Sequence, residues 1–480
     1  MFLKAKKRKV PAIEGPHRRR SQERGVALLM VLGTLAVLTV MLTEFQDAAS
    51  AELGSSLAAR DQVKAEYAAR SAVNLTRLLI AAEPTIRSQL GPFTGNSQIP
   101  VWEYTDVVLG PFNDADGGDV FEGVSGMVLA AGRNLGMSDA GFELVVVDED
   151  SKINLNVAAR ADTFSQVRQA KQILSMVGGV QYNDFFEEAE DEKGNQLDRA
   201  TTCSALIDWV DPDTDLNGCD PEVETASTAV AEDSYYQLLD RPYQRKNAAF
   251  DSLEELRLVQ GISDDFFRMF LSPDPDDPKS RVVTVWGSGK VNVNSANART
   301  LLGLVCHLAK PETPLCIDPI MQQKYLMTSQ MFAGAMAGLP IHKSPKAFIK
   351  AIQGKGQFGE ILKGVGIEPV KVKSEQLMEE AITTESQVFS IYATGYVKSG
   401  KRRTTSRIHA VVDMRGAPPP GSAKILGKLA RIRNLETDSL RVGKKADGGL
   451  GKLPETFEAG GIATALLPAP GGSILYYRVD

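Results

Sequence analysis

The sequence predicts an α+β protein: one long N-terminal helix, a set of short strands and a large helical region. Three observations carry this reading. From Val26 to Glu83 there is no proline and the only glycines are Gly33 and Gly54, so a single helix is expected there. Past Pro84, turn signals (Gly91-Pro92, Gly95-Asn96, Gly110-Pro111) break up short β-like runs at 101–109, 120–130 and 142–148. Helical sequence then occupies 162–177 and 297–309, each stretch following an alternating Lys-apolar-Asn-apolar-Asn run.

The chain has 480 residues, 43% apolar and 24% charged, enough for more than one core and incompatible with disorder throughout. Its net charge of -6 conceals an asymmetry. Residues 1–25 carry nine cations and two anions, a net +7, and the remainder carries -13. An acidic body argues against nucleic-acid binding by charge alone.

The basic leader runs into an uncharged stretch, Gly25–Thr43, whose 19 residues would span about 28 Å as a helix, one bilayer core. Cations before it and acids after it place the leader in the cytoplasm and the body outside. Three readings of this segment stand side by side. A secretory signal would use Ala49-Ser50-Ala51, which lies far beyond the apolar core. A plain anchor needs only the apolar run. The third rests on Arg24-Gly25-Val26, which resembles a prepilin leader. That resemblance implies cleavage after Gly25 by a prepilin peptidase, methylation of the new N-terminus at Val26, and retention of the helix as a pilin spine. The fifth mature residue, usually Glu in that family, is Met30 here, a departure shared by the minor pseudopilin K of type II secretion. The apolar positions Leu53, Leu57, Val63, Tyr67, Leu75 and Leu79 extend a stripe along the spine, about 87 Å over 58 residues.

In the body, Asn113–Gly118 reads as a hairpin loop whose acids favour a solvated turn over a calcium site. The runs Lys152-Ile153-Asn154-Leu155-Asn156 and Lys290-Val291-Asn292-Val293-Asn294, each before a helix, indicate an internal repeat in which Asn caps or turns the chain. Together with the Leu256–Ile262 turn they are also similar to pieces of a helix-hairpin-helix unit. Phosphate binding by such a turn needs positive potential, and 182–278 is strongly acidic, so a packing role is favoured.

The block Ser204–Ile262 is the most specific. It contains Leu206-Ile207-Asp208-Trp209-Val210-Asp211, then Asp213 and Asp215, Glu232-Asp233-Ser234-Tyr235-Tyr236, Pro242-Tyr243, Asn247 and Ser252-Leu253-Glu254-Glu255-Leu256. With Asn154-Leu155-Asn156 and Val291–Asn294, this order resembles the general secretion pathway protein K family over about 19–414. The resemblance implies a pilin-like long helix plus a small antiparallel sheet, closed by strands at 388–395 and 404–414, with a large helical, helix-hairpin-helix-like domain inserted between its strands. The expected division is leader 1–25, membrane segment and spine 26–90, pilin-like part 91–160, inserted domain 161–385, closing strands 386–414, and a flexible Gly/Pro-containing tail 415–480 whose Ile474–Val479 run forms one strand.

Asp211, Asp213, Asp215 and Asn217 alternate, with Glu222 eleven positions after Asp211, a spacing similar to an EF-hand loop. Leu216 stands where the turn glycine belongs, which speaks against a proper EF-hand. The resemblance to the K family implies structural calcium in some other loop geometry, with Asp211, Asp213, Asp215, Asn217 and Asp220 as candidate ligands and Glu232 and Asp233 approaching from the other side. Cys203 and Cys219 bracket this loop, and Cys306 and Cys316 bracket a second one. In an oxidising periplasm two local disulfides are expected.

No enzyme is legible. The four histidines are scattered, Gly354–Gly359 matches G-x-G-x-x-G but follows a helix-like run, and Gly287–Lys290 lacks P-loop spacing. The resemblance implies a non-enzymatic inner-membrane protein, single-pass with a periplasmic body. Its role would be to cap the tip of the type II secretion pseudopilus with the minor pseudopilins I and J, among other type II secretion components and without nucleic acid. The competing readings are a membrane-anchored DNA-binding component of an uptake pilus and a tethered calcium-binding adhesin.

Overall fold

The computed structural model describes residues 20–94, 97–113, 139–160, 162–179, 182–188, 198–219, 227–231, 234–271, 277–335, 339–417 and 471–480. The chain forms two compact units, residues 1–64 and 65–480. A single helix, Arg20–Thr94, supplies all that is described of the first. From Val26 to Leu42 its large apolar side chains are exposed, and the helix is long and apolar enough to cross a membrane. The polar hydroxyls in this stretch are satisfied internally: Thr34 donates to the Val31 carbonyl, Thr39 to Leu35 and Thr43 to Val40.

In the second unit, residues 65–94 of the helix lie on a four-stranded antiparallel sheet of order β1-β8-β9-β10. The strands are β1 Ala140–Asp148, β8 Val388–Ser399, β9 Arg402–Asp413 and β10 Ser473–Val479. The register runs Val146↔Ile391, Ile391↔Ala410 and Ala410↔Tyr477. Alternate residues Phe142, Leu144, Val146, Phe389, Ile391, Ile408, Ala410 and Val412 turn to one face and bury Ala69, Ala72, Val73 and Ile80 of the helix. Small helix residues allow close approach, and at Gly395 the two backbones touch.

Two expectations are corrected here. The helix does not stop at Pro84 but runs to Thr94. Proline removes one N–H bond, and tertiary contacts hold the chain helical across it. The Glu83 carboxylate accepts from the Ile99 amide at 2.8 Å and pairs with Arg87 one turn on at 3.1 Å. Residues 101–109 are not a strand: Val101–Tyr104 is a 3₁₀ turn and Thr105–Leu109 an α-helix. Val101, Thr105 and Leu109 are all buried, a helical spacing of four that an alternating reading overlooks. The strand expected at 474–479 is present as β10, the fourth strand, and Arg77 donates to the carbonyls of Gly471 and Gly472 beside it, both at 2.9 Å. The 120–130 run and most of the Asn113–Gly118 loop lie outside the described residues. Asn113 itself brackets the backbone of Phe142, closing the edge of β1.

Between β1 and β8 the chain leaves the sheet and forms the helical region as two halves built alike. In the first, β2 (Ile153–Asn154) pairs in parallel with β5 (Val283–Thr284). In the second, β6 (Val291–Asn292) pairs in parallel with β7 (Ile382–Thr383). Asn154 accepts from the amide of Asn156 at 2.8 Å and Asn292 from that of Asn294 at 3.0 Å, so the repeated asparagines turn the chain. The helix caps are other residues: Asp162 for Thr163–Val177 and Asn297 for Ala298–Leu308. Each half's second asparagine clamps a distant loop, Asn156 at Phe250 and Asn294 at His342. In the Leu256–Ile262 turn, Gly261 takes φ +82°, the Gln260 amide donates to the Tyr236 hydroxyl and the Ile262 amide to the Val259 carbonyl.

Candidate metal centre

The acidic loop leaves the C-terminus of the helix Arg199–Asp208. Trp209 and Val210 are pulled into the core, which forces Asp211 inside with them. Asp213 and Asp215 follow on the exposed side, and β3 (Asp215–Asn217) pairs with β4 (Ser227–Ala231) so that Asp215 faces Ala231. Glu232 and Asp233 directly follow Ala231. They and Asp220 lie outside the described residues.

The described donors converge around Asp211. Gln166, from the helix Thr163–Val177, donates to Asp211 Oδ2 at 3.0 Å and to Asp213 Oδ2 at 3.3 Å, tying the two carboxylates together. Asn247, held at φ +47°, donates to the Asp213 carbonyl at 3.1 Å. Asn217 is used inward: its amide donates to Asp208 Oδ1 and its side-chain oxygen accepts from the Cys219 amide, each at 2.8 Å. Asp213 Oδ1 accepts from the Asp215 amide at 3.0 Å, closing an Asx turn.

Two enclosed oxygens, Asp211 Oδ1 and Asn247 Oδ1, accept no hydrogen bond among the described residues. Buried acceptors of this kind normally have a partner. Burial, reinforced by the neighbouring Asp213 charge, pushes the Asp211 carboxyl up to about 7 despite the opposing pull of Arg245 and Gln166. Burial also pushes Asp208 up to about 8, against the pull of the Asn217 amide and of Arg245, whose guanidinium donates to the Asp208 carbonyl at 2.8 Å. Positive charge is therefore short at this loop. The donor set is all oxygen, which fits a hard cation such as calcium. Among the described residues no three Asp, Glu, His or Cys side chains are arranged to hold an ion by themselves, so Asp220, Glu232 and Asp233 would have to complete the set.

Sequence reasoning placed Asp211 and Asp213 here and missed Gln166, Asp208 and Asn247. Gln166 and Asn247 are 45 and 34 residues from the aspartates they touch, beyond any local spacing rule. The loop is stapled by a disulfide between Cys203 and Cys219, with Cα atoms 5.9 Å apart, and Cys306 is bonded to Cys316 at 5.2 Å. Gly25 and Val26 lie on the long helix, Val26 exposed.

Residues 151–271, which hold the first half of the insertion and this loop, match the family model described as type II secretion system (T2SS), protein K. Over that segment the chain is similar to type II secretion protein K. The segment begins three residues past the end of β1, so it sits inside the sheet's chain path between β1 and β8. Among solved structures, this chain is similar to one in the crystal structure of the GspK-GspI-GspJ complex from the enterotoxigenic Escherichia coli type 2 secretion system. The identity is 13%, over 58% of this chain and 77% of that one, with a TM-score of 0.33. No curated protein matches the chain at a significant level.

Proposed function

We propose that this protein is the minor pseudopilin K of a type II secretion system and caps the tip of the pseudopilus together with minor pseudopilins I and J. The observation that carries the reading is the place of the segment similar to protein K, inserted between adjacent strands of an antiparallel sheet that packs on a long helix. The function is assembly, not catalysis. The apolar stretch Gly25–Thr43 anchors the chain in the inner membrane with the body in the periplasm. A prepilin peptidase cuts after Gly25, and Val26 becomes the methylated N-terminus. The apolar helix then packs among its neighbours, where small residues such as Gly33 permit close approach. Met30 offers no carboxylate to a subunit above, and the bulk of the insertion would block addition of that subunit. Calcium, held by Asp211, Asp213 and Asn247 with acids from 220 and 232–233, would neutralise the loop and fix its conformation.

The test is co-expression with the I and J pseudopilins of the same system, purification in calcium-containing buffer, and mass spectrometry of the mature N-terminus. A stable ternary complex beginning at methylated Val26 is expected. A chain that retains Met1 and forms no complex would overturn the reading.

A further inference from the structure

A cleft of about 1160 Å³ opens where the helices Thr163–Val177, Ala298–Leu308 and Pro319–Ala335 meet. Its floor is apolar, with Leu174, Met176, Phe270, Leu302 and Leu326. From the rim an apolar row continues into solvent: Ile317, Ile320, Met327 and Met331 are each 58–67% exposed. Isolated exposed apolar residues need no explanation, but a contiguous row running into an apolar cleft marks an interaction site.

The charge at the cleft is distinctive. Residues 161–290 contain 26 acids against 12 cations. Among the described residues that line the cleft, none is Asp or Glu, while Arg299 and Lys310 stand at its edge, exposed and without an acidic partner among the described residues. The Thr300 hydroxyl lines the cleft too, is buried and makes no hydrogen bond among the described residues. The space exceeds the roughly 300–1,000 Å³ of small-ligand pockets and is continued by the exposed row, so it suits a polypeptide segment better than a metabolite. Methionine side chains adapt to irregular apolar partners.

We propose that this cleft docks an acidic, amphipathic segment of a partner polypeptide. Its apolar side chains would fill the floor and cover Met327 and Met331, a carboxylate would pair with Arg299 or Lys310, and Thr300 would bond its backbone. The proposal rests on the cleft alone and does not depend on the pseudopilus reading.

The experiment uses the full chain in phospholipid nanodiscs and three fluorescein-labelled 15-residue peptides: Leu and Glu at helical spacing, the same with Gln for Glu, and the same with Lys for Glu. Fluorescence anisotropy should show saturable binding of the Leu/Glu peptide, at least tenfold tighter than the Gln peptide, and none of the Lys peptide. R299E/K310E and, separately, Met327→Glu should each weaken it at least tenfold. All three side chains are exposed, so the thermal melt should stay unchanged. Absence of binding, equal binding of the three peptides, or indifference to R299E/K310E would overturn the proposal. So would binding of sodium oleate in place of every peptide, which would assign the cleft to lipid carboxylates. Self-association abolished by Met327→Glu would assign it to a second copy and equally overturn the proposal.

Discussion

The carbonyl oxygen of Ala65 occupies the place where a side chain on Gly395 would begin: a Cβ there would lie 1.9 Å from Ala65 O and 2.6 Å from the Ala69 amide nitrogen. Real Cβ atoms do not come that close to backbone, and backbone cannot swing aside as a side chain does. Gly395→Ala is therefore expected to lower stability by about 3 kcal/mol through forced separation of helix and sheet. Gly364→Ala, with open space around it, should change stability little. Chemical denaturation of both variants checks this.

The two asparagine clamps make a paired prediction. Asn156 accepts from the Phe250 amide at 2.7 Å and donates to the carbonyls of Phe250 and Val285 at 3.0 and 2.7 Å. Asn294 accepts from the amides of Ile341 and His342 and donates to the His342 carbonyl. Asn156→Ala and Asn294→Ala each strand backbone groups and should cost about 2 kcal/mol. Hydrogen exchange should localise the loss, at Phe250 in the first variant and at His342 in the second.

His342 gives a pH signature. Its ring lies 5.1 Å from Phe348 and 5.4 Å from Phe358, and burial among them holds its pKa down at about 4. The unfolded chain, with an ordinary histidine near 6.5, binds the proton first as pH falls. Stability from this group is thus fully present above about pH 6.5, and is lost as pH drops toward 4. The loss is about 2 kcal/mol after discounting for partial exposure. His342→Phe should flatten that part of the stability-versus-pH curve, measured by denaturant titration between pH 4 and 7.

Asp211 should behave oppositely with and without calcium. Chelation leaves a buried carboxylate beside Asp213, so Asp211→Asn is expected to be neutral or slightly stabilising in EGTA. In millimolar calcium the parent should gain a few kcal/mol by mass action and the variant little. Thermal melts in both buffers would show crossing orders if the loop holds the ion, and parallel ones if it does not.

Much of this architecture is legible in the residues. The proline-free stretch after Val26 is helical, the two Asn-apolar-Asn runs do mark equivalent turns, and the 142–148 run lies within β1. What escaped depends on partners far along the chain. Pro84 is carried through a helix by Ile99 and Arg87, and Val101–Leu109 shows its helical face only once Trp102 is seen against Phe389, 4.7 Å away. At the acidic loop, spacing exposes the aspartates but not Gln166 and Asn247, which arrive from other elements.

The turn Asp148–Asp150 has a mechanical meaning. Because the insertion leaves β1 and rejoins β8 at paired residues, Asp148 and Phe389, a pull on it away from the sheet loads one pair of residues at a time, the geometry of a zipper. The first teeth are reinforced. Asp150 accepts from the amides of Gln387 and Val388 at 2.8 and 3.1 Å, and Asp148 accepts from the hydroxyls of Ser295 and Ser386. Tension on the insertion must break this clip before any ladder bond between β1 and β8 bears load, so the sheet is protected from peeling by two aspartates at its corner.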